Sequence, residues 1–484
     1  MRHVTFVLIA LAALTAAAPA GAQEPPNTKK ERVQHVGFLS EPQVISTRFK
    51  GTLMYVSTLR GLAIYDIKDP VKPVRIGQLQ LPHFENEDID VGGGIALISN
   101  DPSEGAGRLH VIDVKDPTAP KLLSSMDTGT ADGGILTGGL GNPFGIGNGT
   151  GHTASCVQEC KFVYLAGTLS GIDVVDLRDP SKPKYATPSN FPVPEATGGL
   201  ATHDVQFDRA GRAWIAGAGG TAAYDVTNPL APVLVARTDE QGQSRYAETF
   251  GNDDGKTYND FIHHNSMRLP NSSLAALPAG VDVAADSNVV AITEEDYNRP
   301  TCKGAGSFQT WEITRDKTRG AGADGKGRPV PVLKPLDKFE VEEDASRQSL
   351  CSAHYFDDRG GLIAQGWYEQ GTRFFDISDP RNIRQVGFFI PQKNMTWGAV
   401  FPPTDPTGEV VYSLDTLRGI DVLRFDRPKP AIPGTQSAPK DLQQLPEVVA
   451  PPAGGPGAGK DEVPGRARSG RRPDVALRID DGRR

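Results

Sequence analysis

Apolar residues recur along this chain in short β-branched runs. Each run closes on Asp, one more apolar residue, and an Asp-Pro or Asn-Pro turn shortly after. The copies are GLAIYDIKDPVKP (61–73), RLHVIDVKDPTAP (108–120), GIDVVDLRDPSKP (171–183), TAAYDVTNPLAP (221–232) and TRFFDISDPRNI (372–383). Such a run reads as a strand, and the Pro that follows cannot donate to a ladder, so it stops the strand and turns the chain. SFQTWEITRD (307–316) and GIDVLRFDRP (419–428) are degenerate copies that bring the number to seven.

A second apolar strand precedes each copy, as in LMYVST (53–58), FVYLAG (162–167) and VVYSLD (410–415). Most copies are followed by another, as in VRIGQLQL (74–81) and RQVGFFI (384–390), and a short first strand such as HDVQFD (203–208) opens each unit. Four antiparallel strands repeated every 45–90 residues or so predict an all-β fold, a seven-bladed β-propeller of four-stranded antiparallel blades, with insertions in blades 3, 5 and 6. Blade 7 lacks a fourth strand, while RVQHVGFLS (32–40) matches the fourth strands and has no blade of its own. The N-terminal strand is therefore expected to close the ring, which removes exposed sheet edges. The propeller then spans 32–427.

The flanks have a different composition. Residues 1–22 combine a basic start, an apolar run and Ala20-Gly21-Ala22, the pattern of a cleaved signal peptide, and 23–31 read as a linker. Residues 428–484 are rich in Pro, Gly and Ala, with too few large apolar side chains to offset ordering entropy, and read as a disordered tail. No other segment has the ~20 apolar residues of a membrane span, so a soluble, monomeric periplasmic or extracellular protein is expected. Net charge is −8, and the stretch from Arg427 onward carries 11 Lys/Arg against 7 Asp/Glu, so the body is more acidic still. That argues against nucleic acid as a partner. Export favours disulfides over free thiols. Of three formal connectivities, the four-residue spacing of Cys156 and Cys160 favours pairing those two, leaving Cys302 with Cys351.

In a propeller the start of each first strand rings one mouth of the central channel. Aligning the seven units puts Ser46-Thr47, Glu87-Asp88, His152, His203, His263-His264, His354 and Trp397 at that position. Imidazoles and carboxylates converging on one axis suit a transition metal such as zinc, copper or iron. His152, His203, His264, His354, Glu87 and Asp88 are the candidate ligands. Strand side chains alternate between faces, and matching HHNSMRL to THDVQFD makes His264 the channel residue. His263, Asp204, Asn265, Glu294, Glu295 and Trp397 then become supporting or rim residues. The recurring Asp66, Asp113, Asp176, Asp225 and Asp376 suit turn capping rather than chemistry.

The repeated DIKDP, DVKDP, DLRDP and DISDP cores resemble the LVIVD-repeat family of secreted bacterial β-propellers, over roughly residues 32–426. The resemblance implies a propeller of about seven blades and an exported location, and it assigns no reaction. Two functions remain open on sequence grounds. One is a metal site at the channel mouth that also takes a small-molecule ligand, as a metal-dependent hydrolase or oxidase would. The other is a non-enzymatic scaffold or binding module for a protein or cell-envelope glycan, with the histidines serving as ring architecture.

Overall fold

The computed structural model describes residues 24–427 except 42, 82–87, 101–106, 129–150, 168–170, 192, 194–201, 246–256, 276, 278–279, 297–298, 300, 319–328 and 342–348. The expected signal peptide, the tail and Glu87 lie outside the described residues. The described strands form seven four-stranded antiparallel units. Blade 1 spans 44–80, blade 2 spans 89–128, blade 3 spans 154–191, blade 4 spans 202–238, blade 5 spans 262–339 and blade 6 spans 356–390. Blade 7 takes three strands from 396–425 and its fourth from Val33–Leu39, which runs antiparallel to Gly419–Phe425. Ring closure by the N-terminal strand is thus as the repeat pattern predicted.

An apolar cluster fills each gap between successive blades. Tyr55 and Ile64 meet Ile89 and Ile112 between blades 1 and 2, and Phe308 meets Phe375 between blades 5 and 6. Met54 and Val56 meet Tyr412 and Val422 where blade 7 returns to blade 1. Burial of these side chains, worth about 25 cal/mol per Å² of apolar area, explains why apolar residues occupy both faces of the middle strands.

The repeat motif itself makes two successive Asx turns. Asp66 Oδ1 accepts from Lys68 N at 3.0 Å and Asp69 Oδ1 from Val71 N at 3.1 Å. The same pairs recur at Asp176 and Asp179 and at Asp376 and Asp379. These aspartates stop strands by offering the backbone a side-chain acceptor.

Two features depart from the repeat. Lys29–Glu31, expected as linker, forms a strand on the outer edge of blade 6, pairing with Phe388–Ile390. Blades 4 and 5 also merge through a parallel contact of their outer strands, Arg237 and Thr238 opposite Val332 and Leu333. Both disulfides form as paired from spacing, Cys156–Cys160 and Cys302–Cys351. No described helix is long and apolar enough to cross a membrane.

Candidate functional site

The inner strands of blades 4, 5 and 7 each carry one extra residue opposite the second strand, at His203, His264 and Trp397. Such β-bulges re-aim a side chain that strict alternation would send elsewhere. In blades 3 and 6 the equivalent histidines precede the strand and are fixed by their backbones. His152 N donates to Ala166 O at 3.2 Å, and His354 N to Gly366 O at 3.0 Å. Gly167, at φ +88°, makes room for the first of these, since a Cβ there would lie 2.4 Å from His152 Cβ.

The structure brings four of the predicted histidines together at the strand-start end of the channel. Ring centroids run His152–His203 4.4 Å, His203–His264 4.3 Å and His264–His354 3.9 Å. Nε2 of His152 and Nε2 of His203 face each other at 2.9 Å. Glu295 reaches in from the second strand of blade 5, with Oε2 3.7 Å from His203 Nε2 and Oε1 3.9 Å from His354 Nε2. Tyr368 donates its hydroxyl to the same Oε1. One ligand atom each from His203, His264 and Glu295 lie within 4.8 Å of one another, so these three can hold a metal ion.

Tautomers follow from the acceptors. A carbonyl only accepts, so His203 Nδ1 donates to His264 O at 3.2 Å and His354 Nδ1 donates to Trp397 O at 2.7 Å. In both rings Nε2 is left with its lone pair facing the cluster, the arrangement that backbone carbonyls impose on metal-binding histidines. His264 is fully buried, and neither of its ring nitrogens has a partner among the described residues. Burial, then the neighbouring imidazoles, push the pKa of His203 and His264 well below the ordinary histidine value. Burial also brings His354 down to about 3, against the pull of its bond to the Trp397 carbonyl. All three rings are therefore neutral at physiological pH.

The family model for the LVIVD repeat matches residues 88–128, which is blade 2 from Ile89 to Thr128 together with the preceding Asp88. The chain carries an LVIVD repeat. No curated protein matches it. Among solved structures it is similar to the β-propeller domain of Cps50 (Swd1) from Myceliophteria thermophila, at 11% identity and TM-score 0.49, over 81% of this chain and 99% of that one. It is also similar to the periplasmic gluconolactonase PpgL of Pseudomonas aeruginosa, at 11% identity and TM-score 0.47, over 74% of this chain and 87% of that one.

The remaining predicted residues of this LVIVD-repeat propeller are distributed differently from the expectation. Asp88 does not join the histidines. Its Oδ1 accepts from Ser46 Oγ (3.0 Å) and Ile89 N (2.7 Å), and its Oδ2 accepts from Arg48 Nη2 (2.9 Å). Its bonds commit it to Arg48, Ser46 and its own strand rather than to an ion, and burial raises its pKa to about 7 against the opposing pull of Arg48. Glu294 faces away from Glu295, into blade 5, where it accepts from Asp260 N (2.6 Å) and Ser307 Oγ (2.7 Å), and burial pushes it up to about 8. Asn265 Oδ1 accepts from Thr293 Oγ1. Asp204 Oδ2 accepts from Gln206 Nε2, while its buried Oδ1 has no partner among the described residues. His263 lies outside the cluster, bonded to Thr221 Oγ1 at 3.0 Å and Tyr258 O at 2.9 Å.

Further along the channel, a cavity of about 180 Å³ is lined by Arg48, Gln206, Asn265, Met267, Tyr355 and Asp357, among others. Tyr355 is the shared wall, its ring 4.6 Å from that of His264 and 4.8 Å from that of His354. Sequence reasoning missed Arg48, Tyr355 and Tyr368 as parts of this channel and placed Glu295 only on its rim. Arg48 and Tyr355 were available to it, two residues after Ser46 and one after His354. Tyr368 lies in a turn and carries no repeat signal.

Proposed function

We propose that this protein is an exported propeller whose channel mouth binds a transition-metal ion, zinc, copper or iron, and presents it to a small molecule entering the channel. The observation that carries the reading is His264. A fully buried imidazole with no partner at either nitrogen among the described residues forfeits about 1–3 kcal/mol per polar atom, and a buried polar group in that state calls for an ion or water. Its neighbours supply the rest of a donor set. His203 and His354 present lone pairs fixed by backbone carbonyls, and Glu295 supplies a carboxylate between them. His152, whose Nε2 lies 2.9 Å from that of His203, adds a fourth imidazole beside this set.

When bound, such an ion would polarise a substrate oxygen or lower the pKa of a bound water. The chain's own residues set the conditions: burial keeps the imidazoles neutral and able to ligate, and Tyr355 separates them from the cavity through which a small ligand would approach. The two disulfides suit an oxidising compartment.

The test is elemental analysis of untagged protein loaded with zinc, copper or iron, beside the His203→Ala/His264→Ala variant. The expected result is close to one ion per chain in the wild type and loss in the variant. A wild type holding less than about one-fifth of an ion per chain after loading leaves the histidines as ring architecture and ends the proposal.

A further inference from the structure

Tyr368 occupies the turn between the second and third strands of blade 6, Leu362–Gly366 and Thr372–Asp376. Its φ is +33°, a region where a bulky L-residue costs about 1–3 kcal/mol and persists only when its surroundings hold it there. They do so here. Its carbonyl accepts from Thr396 N at 2.9 Å and Gly371 N at 3.2 Å, and from Asn394 Nδ2 at 3.2 Å. Two of those donors come from the blade 7 side of the interface. Glycine would meet the same backbone path without the cost, so the side chain is what the turn retains. That side chain is buried against His354 and Trp397, at 5.0 and 5.1 Å between ring centroids, and its hydroxyl ends on Glu295 Oε1.

We infer that Tyr368 is the positioning residue for Glu295 in the metal site, an inference that rests on the reading above. By donating to Oε1, the phenol fixes the orientation of a carboxylate whose Oε2 lies 3.7 Å from His203 Nε2. The strained turn is the device that brings the phenol to a carboxylate on a neighbouring blade.

The test compares cobalt(II) binding by wild type, Tyr368→Phe, Glu295→Gln and the double variant, following Kd and the visible cobalt spectrum. Phenylalanine keeps the packing on His354 and Trp397 and removes only the hydroxyl. Tyr368→Phe is expected to weaken binding 10- to 100-fold and to alter the spectrum. In the Glu295→Gln background the same change is expected to add less than about twofold, because the carboxylate it positions is gone. A Tyr368→Phe Kd within about twofold of wild type, or an equal loss in both backgrounds, overturns the inference while leaving the metal site standing. A change confined to the melting temperature does the same. A wild type that binds no cobalt removes both the inference and the reading beneath it.

Discussion

Around Arg48, the buried carboxylate of Asp88 has a donor at every turn, from Ser46, from Ile89 and from the guanidinium itself. Around His264, in the same channel, a ring that is no less buried has none among the described residues. The strand-start end collects lone pairs; the Arg48 belt collects matched donors and acceptors. Asp204 marks the border, for its Oδ2 is bonded into the Arg48–Gln206 network while its buried Oδ1 has no partner among the described residues. Two belts of polar groups can thus share one channel with opposite meanings. A satisfied belt holds inner strands together, whereas an unsatisfied one costs stability that only a bound partner returns.

The largest effect that would sharpen this contrast is expected at Arg48. Replacing it with Met strands Asp88, which is wholly buried, and breaking a buried pair from one side costs about 3–5 kcal/mol. Denaturant unfolding at pH 8 should show that loss, with metal content unchanged. The loss should shrink towards pH 5 as Asp88 takes up a proton. An Arg48→Met protein as stable as wild type at pH 8 would break the distinction between the two belts.

Proton linkage separates them next. The imidazoles have folded-state pKa values below their unfolded value of about 6.5, down to about 3 at His354, so below pH 6.5 the unfolded state binds more protons. Their contribution is present above that pH and is lost as pH falls, by up to about 1.4 kcal/mol per pH unit for each ring. The carboxylates are shifted the other way, Asp88 to about 7 and Asp357 to about 6. The native state keeps protons that the unfolded chain has released, so their contribution is present below about pH 4 and is lost as pH rises through those values. For metal-free protein taken from pH 7 to pH 5, His264→Leu should lessen the fall in stability and Asp88→Asn should steepen it. Thermal unfolding across that interval checks both signs, and parallel profiles for the two variants would contradict the assignment.

Much of this was legible in the chain because the repeat is a backbone code. Each Asp-x-x-Asp-Pro segment is a pair of Asx turns, so strand ends, blade number and the closing strand could be read from residue types alone. The convergence of His152, His203, His264 and His354 followed from aligning the blades. What could not be read is how neighbouring side chains divide their hydrogen bonds. Asp88 aligns with the histidines yet is taken by Arg48, two residues beyond Ser46 on another blade. Glu294 and Glu295 are adjacent, but one turns into blade 5 and the other into the channel. Tyr368 arrives through a left-handed turn, a conformation that no periodicity announces.

The smallest and most discriminating contrast is between two adjacent residues. His263 bonds Thr221 Oγ1 and the Tyr258 carbonyl, and its ring meets Trp311 edge-on at 5.7 Å. His264, one residue on, is the bulged position and bonds nothing through its ring. Replacing His263 with Leu fills the space beside Trp311 and removes two hydrogen bonds. The Tyr258 carbonyl still accepts from Gln309 Nε2 at 2.8 Å, so only the Thr221 hydroxyl is left short, and the expected cost is about 1 kcal/mol. Metal content should not change. In His264→Leu the order reverses: metal is lost, while the metal-free protein loses little or gains, because a buried ring without partners has been replaced by an apolar side chain. Paired denaturant unfolding and elemental analysis of the two variants measure both halves. A His263→Leu protein that loses metal, or a His264→Leu protein that keeps it, would show that the bulge does not separate a structural histidine from a ligand.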